Sequence, residues 1–283
     1  MTIRESKFHS HVTGTEIHRV SASPQDDAPE RKGIVVVLHG LGDHIGCHIK
    51  AMELFSSFGY QSEGFDWPGN GKSGGKRGDI PGVRPAIRLL TEFIENLDEQ
   101  PVAIYAHSTG GFLCLPFINR YGAQLPLKWL WLSSPLLRPT HNQSKLKICA
   151  AELLAEWVPE LTISTGVKPS RCYHISDFNP IAVSDEFKHC HSKISARFGR
   201  DLILWESEAA RVATKLRGPL KILITQGEED QICPPEFAEE LFLSIPSTNK
   251  SLILMKGLRH EPFREPENGE FIKAVTAWLK TNS

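Results

Sequence analysis

The sequence predicts a mostly parallel β-sheet of eight strands covered on both faces by helices, with a helical insertion after the sixth strand. Three observations carry that expectation. Short, continuously apolar runs such as Gly33 to Leu38 recur along the chain, apolar residues between them repeat at helical spacing, and one long stretch breaks the alternation. Strands buried on both faces read as unbroken apolar runs, and parallel neighbours need crossovers of helical length.

The elements follow in order. Phe8 to Ala22 alternates loosely around Thr13-Gly14, the pattern of an antiparallel hairpin. A polar stretch, Ser23 to Lys32, leads into the first strongly buried strand at Gly33 to Leu38. Further strands are expected at Tyr60 to Asp66, Val102 to Ala106, Lys128 to Leu132, Leu220 to Thr225 and Ser251 to Met255. Helical stripes lie at Ile87, Leu90, Ile94 and Leu97, and at Phe271, Val275, Trp278 and Leu279. Pro116 falls inside the helical segment after Ser108, where a missing N–H is expected to bend the chain.

Residues 136–217 break the pattern. They hold two helical stripes, Leu146-Cys149-Leu153-Leu154-Trp157 and Ile194-Phe198-Leu202-Trp205, with no buried strand between them. This stretch is expected to cap the strand ends, leaving 1–135 and 218–283 as the sheet-bearing core.

Composition narrows the classes of function. Lys plus Arg number 32 against 33 Asp plus Glu, so no global field attracts nucleic acid. The N-terminus lacks the apolar core of a secretory signal, and no run reaches the roughly 20 apolar residues a membrane span needs. Six cysteines are scattered without a CxxC pair, as free thiols in a reducing compartment would be, so a cytoplasmic location is expected. Cys172 with His174, and His189-Cys190-His191, match no common zinc spacing, so no metal is expected.

The chemistry concentrates at residues 102–111, VAIYAHSTGG, where a buried strand runs through Ser108 straight into a helix. A nucleophile held above a sheet occupies a tight, strained strand-to-helix turn, so the residues two before and two after it must be small. Those residues are Ala106 and Gly110. The glycine-rich turn after the first buried strand, His39 to His44, lets backbone approach the serine, and the amides of Leu41 and Thr109 are candidate donors to an oxyanion. An acid is expected after the strand at 220–225 and a base after the strand at 251–255. Asp230 is preferred over Glu228 and Glu229 because it lies farther from the strand end, and His260 follows the last strand. Nucleophile, acid and base then come in the order Ser108, Asp230, His260. No cofactor is required for such chemistry.

The whole pattern resembles the monoacylglycerol lipase and lysophospholipase-like branch of the α/β-hydrolases. The resemblance rests on HGLGDH at 39–44, DWPGNGKSGG at 66–75, AHSTGG at 106–111, QGEEDQICP at 226–234 and GLRHEPF at 257–263. It implies the α/β-hydrolase fold, Ser108, Asp230 and His260 as a catalytic triad, and Leu41 and Thr109 as oxyanion donors. The turn at 66–75 is read as structural. Ala106, Thr109 and Asn70 depart from the residues commonest in that group.

Substrate choice is expected to lie in the cap, where Leu153, Leu154 and Trp157 are candidate acyl-site residues. The leading expectation is a serine esterase acting on a single-chain lipid ester such as a monoacylglycerol, with room for membrane contact through apolar cap residues. A small-molecule carboxylesterase or a serine aminopeptidase on the same scaffold is the first alternative. A peptidase would need a carboxylate for the substrate amino group, with Glu152, Glu156 and Asp177 as candidates. A ligand-binding protein that has lost catalysis is the second alternative, against which the intact triad weighs.

Overall fold

The computed structural model describes residues 1–25, 30–174 and 188–282. The strands are β1 (Thr2–His9), β2 (Glu16–Ser23), β3 (Gly33–Leu38), β4 (Tyr60–Phe65), β5 (Pro101–His107), β6 (Trp129–Ser133), β7 (Thr162–Ser164), β8 (Lys193–Ser195), β9 (Lys221–Gly227) and β10 (Lys250–Met255). The α-helices are α1 (Ile49–Ser57), α2 (Val83–Glu95), α3 (Thr109–Tyr121), α4 (Lys145–Trp157), α5 (Pro169–Cys172), α6 (Ala196–Ala213), α7 (Pro235–Ser244) and α8 (Gly269–Asn282). Among the described residues, eight strands form one sheet in the order β1-β2-β4-β3-β5-β6-β9-β10. The pairs β1/β2 and β2/β4 are antiparallel and all the others parallel. This is the expected mostly parallel sheet flanked by helices.

The buried strands divide their side chains between two cores, as the two-residue period of a strand requires. Ile34, Val36, Leu38, Ile104 and Ala106 face one core with α2, α3 and α7. Val35, Val37, Ala103 and Tyr105 face the other with α1 and α8. Trp129 and Trp131 belong to the second core and are fully buried there, stacked edge-on against Tyr60 and Tyr105 respectively.

Three details differ from expectation. The hairpin turns where expected, with Gly14 at φ +65°, but β1 begins at Thr2. Its first six residues are all exposed, so this edge strand carries no apolar alternation to read. Between β6 and β9 the chain forms α4 and α6, but β7 and β8 pair there as a short antiparallel ribbon. Ile194, which reads as the start of a helical stripe, lies in β8. Finally, α3 continues through Pro116 to Tyr121 as one helix.

The insertion is fastened to the sheet at several points. Its helix α6 packs against α2 and α3 as well as α4. Arg197 of α6 pairs with Asp79, and Asp201 accepts a hydrogen bond from the amide of Val83 at the start of α2, 2.8 Å away. A carboxylate there satisfies an orphan first-turn N–H and favours the helix dipole. The Ser195 amide donates to Gly78 O at 2.9 Å.

Candidate active site

Ser108 sits between β5 and α3 with φ 52° and ψ −118°. A non-glycine residue there is strained, and such strain persists only where the surroundings over-determine it. The surroundings here are backbone: the Ser108 amide donates to Ser133 O at 3.0 Å, and its carbonyl accepts from Phe112 and Leu136. A Cβ at Gly110 would come within 2.6 Å of Leu38 O and 2.8 Å of His39 O, so only glycine fits. Ala106 is fully buried in the core beneath.

Ser108, His260 and Asp230 form one hydrogen-bonded chain. His260 Nε2 lies 2.9 Å from Ser108 Oγ, and His260 Nδ1 lies 2.7 Å from Asp230 Oδ2. The Asp230 carboxylate also accepts from Gln226 Nε2 at 2.7 Å and from the amides of Ile232 and Cys233 at 2.8 and 2.9 Å. Glu228 and Glu229 are exposed, and Glu229 faces His174. The carboxylate that turns inward is therefore Asp230. Burial opposes a charge on His260, but the Asp230 carboxylate and the Cys233 sulfur outweigh it and raise the imidazole pKa well above its ordinary value.

The loops carrying Asp230 and His260 are zipped together. Glu228 donates its amide to Met255 O and Glu229 to Leu258 O. A Cβ at Gly227 would lie 2.2 Å from Arg259 O, so the pair of loops closes only over glycine. From the insertion, Cys172 O accepts the Glu261 amide, and Arg259 reaches Ser170 O.

Leu41 and Thr109 both line the cavity in front of Ser108. Thr109 opens α3, where first-turn N–H groups have no intrahelical acceptor. The neighbouring loop passes so close that a Cβ on Gly40 would sit 3.5 Å from Ser108 Oγ. His39 holds this loop. Its Nδ1 bonds Gly40 O at 2.7 Å, and its Nε2 accepts the Trp67 amide at 2.9 Å, so the ring is neutral with its proton on Nδ1. Burial lowers the His39 pKa to about 4, in keeping with that state.

Several positioning residues carry no sequence signal of their own. Asn70, in the turn read as structural, accepts the Gly42 amide at 3.1 Å and bonds His191 Nε2 of the insertion at 3.0 Å. Gln226 and His39 do comparable work. Asn70 and His39 depend on partners far away in sequence, which spacing alone does not reveal, whereas Gln226 reaches Asp230 only four residues on.

The cavity holds about 1240 Å³ of empty space, its open mouth included. Leu136, Ile148, Ala151, Ile163, Val167 and Leu202 give it apolar walls, and Ser108 and His260 lie on its lining. The expected acyl-site residues are elsewhere. Leu153 and Trp157 are 60% and 78% exposed on the outer face of α4, Leu154 is half-buried, and none of the three lines the cavity. Helix α4 turns Ile148 and Ala151 inward instead. The stripe of larger apolar residues thus marks the solvent face of this helix. Glu152 and Glu156 are exposed on it too, and Asp177 lies outside the described residues.

Comparison with known proteins places this site in context. Residues 29–267 match the family model described as serine aminopeptidase, S33. An uncharacterised abhydrolase domain-containing protein of Dictyostelium discoideum is 29% identical over 253 residues, 87% of this chain, which spans about a quarter (26%) of that longer protein. The monoacylglycerol lipase of Mycolicibacterium smegmatis is 26% identical over 261 residues, covering 88% of each chain. The crystal structure of Paleococcus ferrophilus monoacylglycerol lipase superposes with a TM-score of 0.79 at 29% identity, over the full length of both chains.

Proposed function

Because the chain belongs to the serine aminopeptidase S33 family of α/β-hydrolases, a group of serine ester hydrolases and their relatives, we propose that it hydrolyses a single-chain lipid ester of the monoacylglycerol or lysophospholipid type through a Ser108-His260-Asp230 triad. The observation that carries the proposal is the hydrogen-bonded chain from Ser108 through His260 to Asp230 at an apolar cavity. The similarity to monoacylglycerol lipases supports the same substrate class.

In this mechanism His260 Nε2 takes the Ser108 proton as Oγ attacks the ester carbonyl. Asp230 keeps the Nδ1 proton in place and stabilises the imidazolium. The amides of Leu41 and Thr109 receive the oxyanion, a donor of this kind being worth about 10²–10³ in rate. His260 then protonates the leaving alkoxide, and water repeats the cycle on the acyl-enzyme. The insertion, 136–217, acts as the cap, with Ile148, Ala151 and Leu202 against the acyl chain.

An aminopeptidase would need a carboxylate for the substrate's amino group. The carboxylates lining the cavity among the described residues are Asp43 and Glu261, and both are ion-paired, Asp43 with His48 and Arg264 and Glu261 with Arg264. The exposed stripe Leu146, Leu153 and Trp157, spaced i, i+7 and i+11 on α4, supports cap contact with a lipid surface. Among the described residues no helix is long and apolar enough to cross a membrane.

Hydrolysis of 4-nitrophenyl esters from short to long acyl chains, alongside aminoacyl amides, tests the proposal on the protein and its Ser108→Ala variant. Activity that peaks at medium or long chains and disappears in the variant is expected. Activity confined to the shortest chains or to amides, or unchanged in the variant, would overturn it.

A further inference from the structure

Beside the cavity, the fold assembles a group of soft metal ligands from segments that are distant in sequence. His44 and Cys47 come from the loop and 3-10 turn that follow β3, and Cys190 comes from the returning arm of the cap. One ligand atom from each lies within 4.8 Å of the others. The two sulfurs are 3.7 Å apart. A disulfide would need about 2.05 Å. Two thiolates on one tetrahedral zinc ion, each about 2.3 Å from the metal, stand about 3.8 Å apart.

We propose that His44, Cys47 and Cys190 form a zinc site that clips the cap to the loop carrying Leu41. Two thiolates and an imidazole match zinc's preference for sulfur and nitrogen donors, and water completes the tetrahedron. Binding Zn²⁺ releases the two thiol protons to solvent, and the sulfur lone pairs form the metal bonds. The Gly46 amide contacts His44 Nδ1 at 3.2 Å, a long bond that metal on either ring nitrogen ends. The His189 ring packs edge-on against His44 at 5.8 Å and confines its orientation.

The position gives the clip its consequence. The residue after Cys190 donates its amide to Gly42 O at 2.8 Å and bonds Asn70 through its ring. Gly42 is next to Leu41. A metal joining Cys47 to Cys190 therefore holds the cap arm against the loop that faces the nucleophile. Asp230, Cys233 and His260 also lie close together, but they belong to the proton relay already described. Spacing along the chain predicts no metal, because His189-Cys190-His191 matches no zinc pattern. The structure adds Cys47 and His44 from the opposite wall, which spacing within the cap cannot show.

The test uses the full-length protein without a metal-binding tag, purified under reducing conditions and dialysed into metal-free buffer. Zinc is quantified by mass spectrometry, and affinity is measured by competition with a chromophoric chelator. Stoichiometric zinc is expected in the wild type and in Cys149→Ser, whose parent cysteine is exposed and outside the cluster. Cys190→Ser and His44→Ala should bind zinc more weakly by more than the about 10–100-fold typical of losing an outer partner. Cobalt loaded into folded wild-type protein should show thiolate-to-metal charge transfer, a readout independent of whether the variants fold. Equal zinc in wild type and Cys190→Ser, cobalt bound without charge transfer, or a Cys47–Cys190 disulfide in place of metal would each overturn the site. None of these readouts depends on ester hydrolysis.

Discussion

Replacing Gly110 by alanine tests how the nucleophile is held. The new Cβ would lie 2.6 Å from Leu38 O, whereas ordinary contact begins at 3.4 Å, so something must move by about 0.8 Å. Leu38 ends β3 and pairs with Ala106 of β5, which leaves the first turn of α3 to give way. A shift of that size along the bond would open the 2.9 Å Ser108–His260 contact to about 3.7 Å, beyond hydrogen-bonding distance. Overpacking of this kind costs about 1–3 kcal/mol, at about 2–4 °C of Tm per kcal/mol. Misplacement approaching 1 Å at reacting atoms costs about 100-fold in rate. The assays are thermal unfolding, kcat/KM on a medium-chain 4-nitrophenyl ester, and the rate of labelling by an active-serine phosphonate. The phosphonate reports on the nucleophile whatever the natural substrate is. Wild-type labelling together with an unchanged Tm would show that the elbow is not sterically determined.

Three further outcomes follow from the geometry. His260 acts as a base only when unprotonated, and its pKa is raised, so kcat/KM should climb with pH through a limb above the ordinary histidine value near 6.5 and be lost below it. Asp230→Asn should lower kcat by about 10⁴-fold and move that limb toward acid, because the charge that holds the proton is gone; a limb that stays in place would remove Asp230 from the relay. Leu153→Ser combined with Trp157→Ser should leave turnover of a soluble short-chain ester unchanged and reduce turnover of substrate presented in lipid vesicles, since both side chains face solvent. Equal loss on the two substrates would place them in the catalytic machinery instead.

Much of this architecture is legible in the residues themselves. The parallel sheet shows as unbroken apolar runs because its strands are buried on both faces, and the elbow shows because its steric demand leaves small residues at 106 and 110. Asp230 and His260 are legible from their places after β9 and β10, which follow Ser108 in the chain order expected of nucleophile, acid and base. An exposed edge strand such as β1 leaves no such trace, because none of its first six residues is buried.

Contacts between segments far apart in the chain are settled only by folding. The face that α4 turns to the cavity depends on its packing against α6, and so Ile148 and Ala151 point inward while Leu153 and Trp157 point to solvent. Helical period reveals a stripe but not which side of the insertion meets the sheet. Asn70 bracing Gly42, the Trp67 amide bracing His39, and Cys47 meeting Cys190 are of the same kind. The strained turn at Ser108, the placing of Asp230 and His260 after their strands, and the layered sheet are readable from the residues alone, because each is written in local sterics and chain order. The walls of the cavity and the bracing of the loops were decided by folding, because those contacts join residues that no local rule connects.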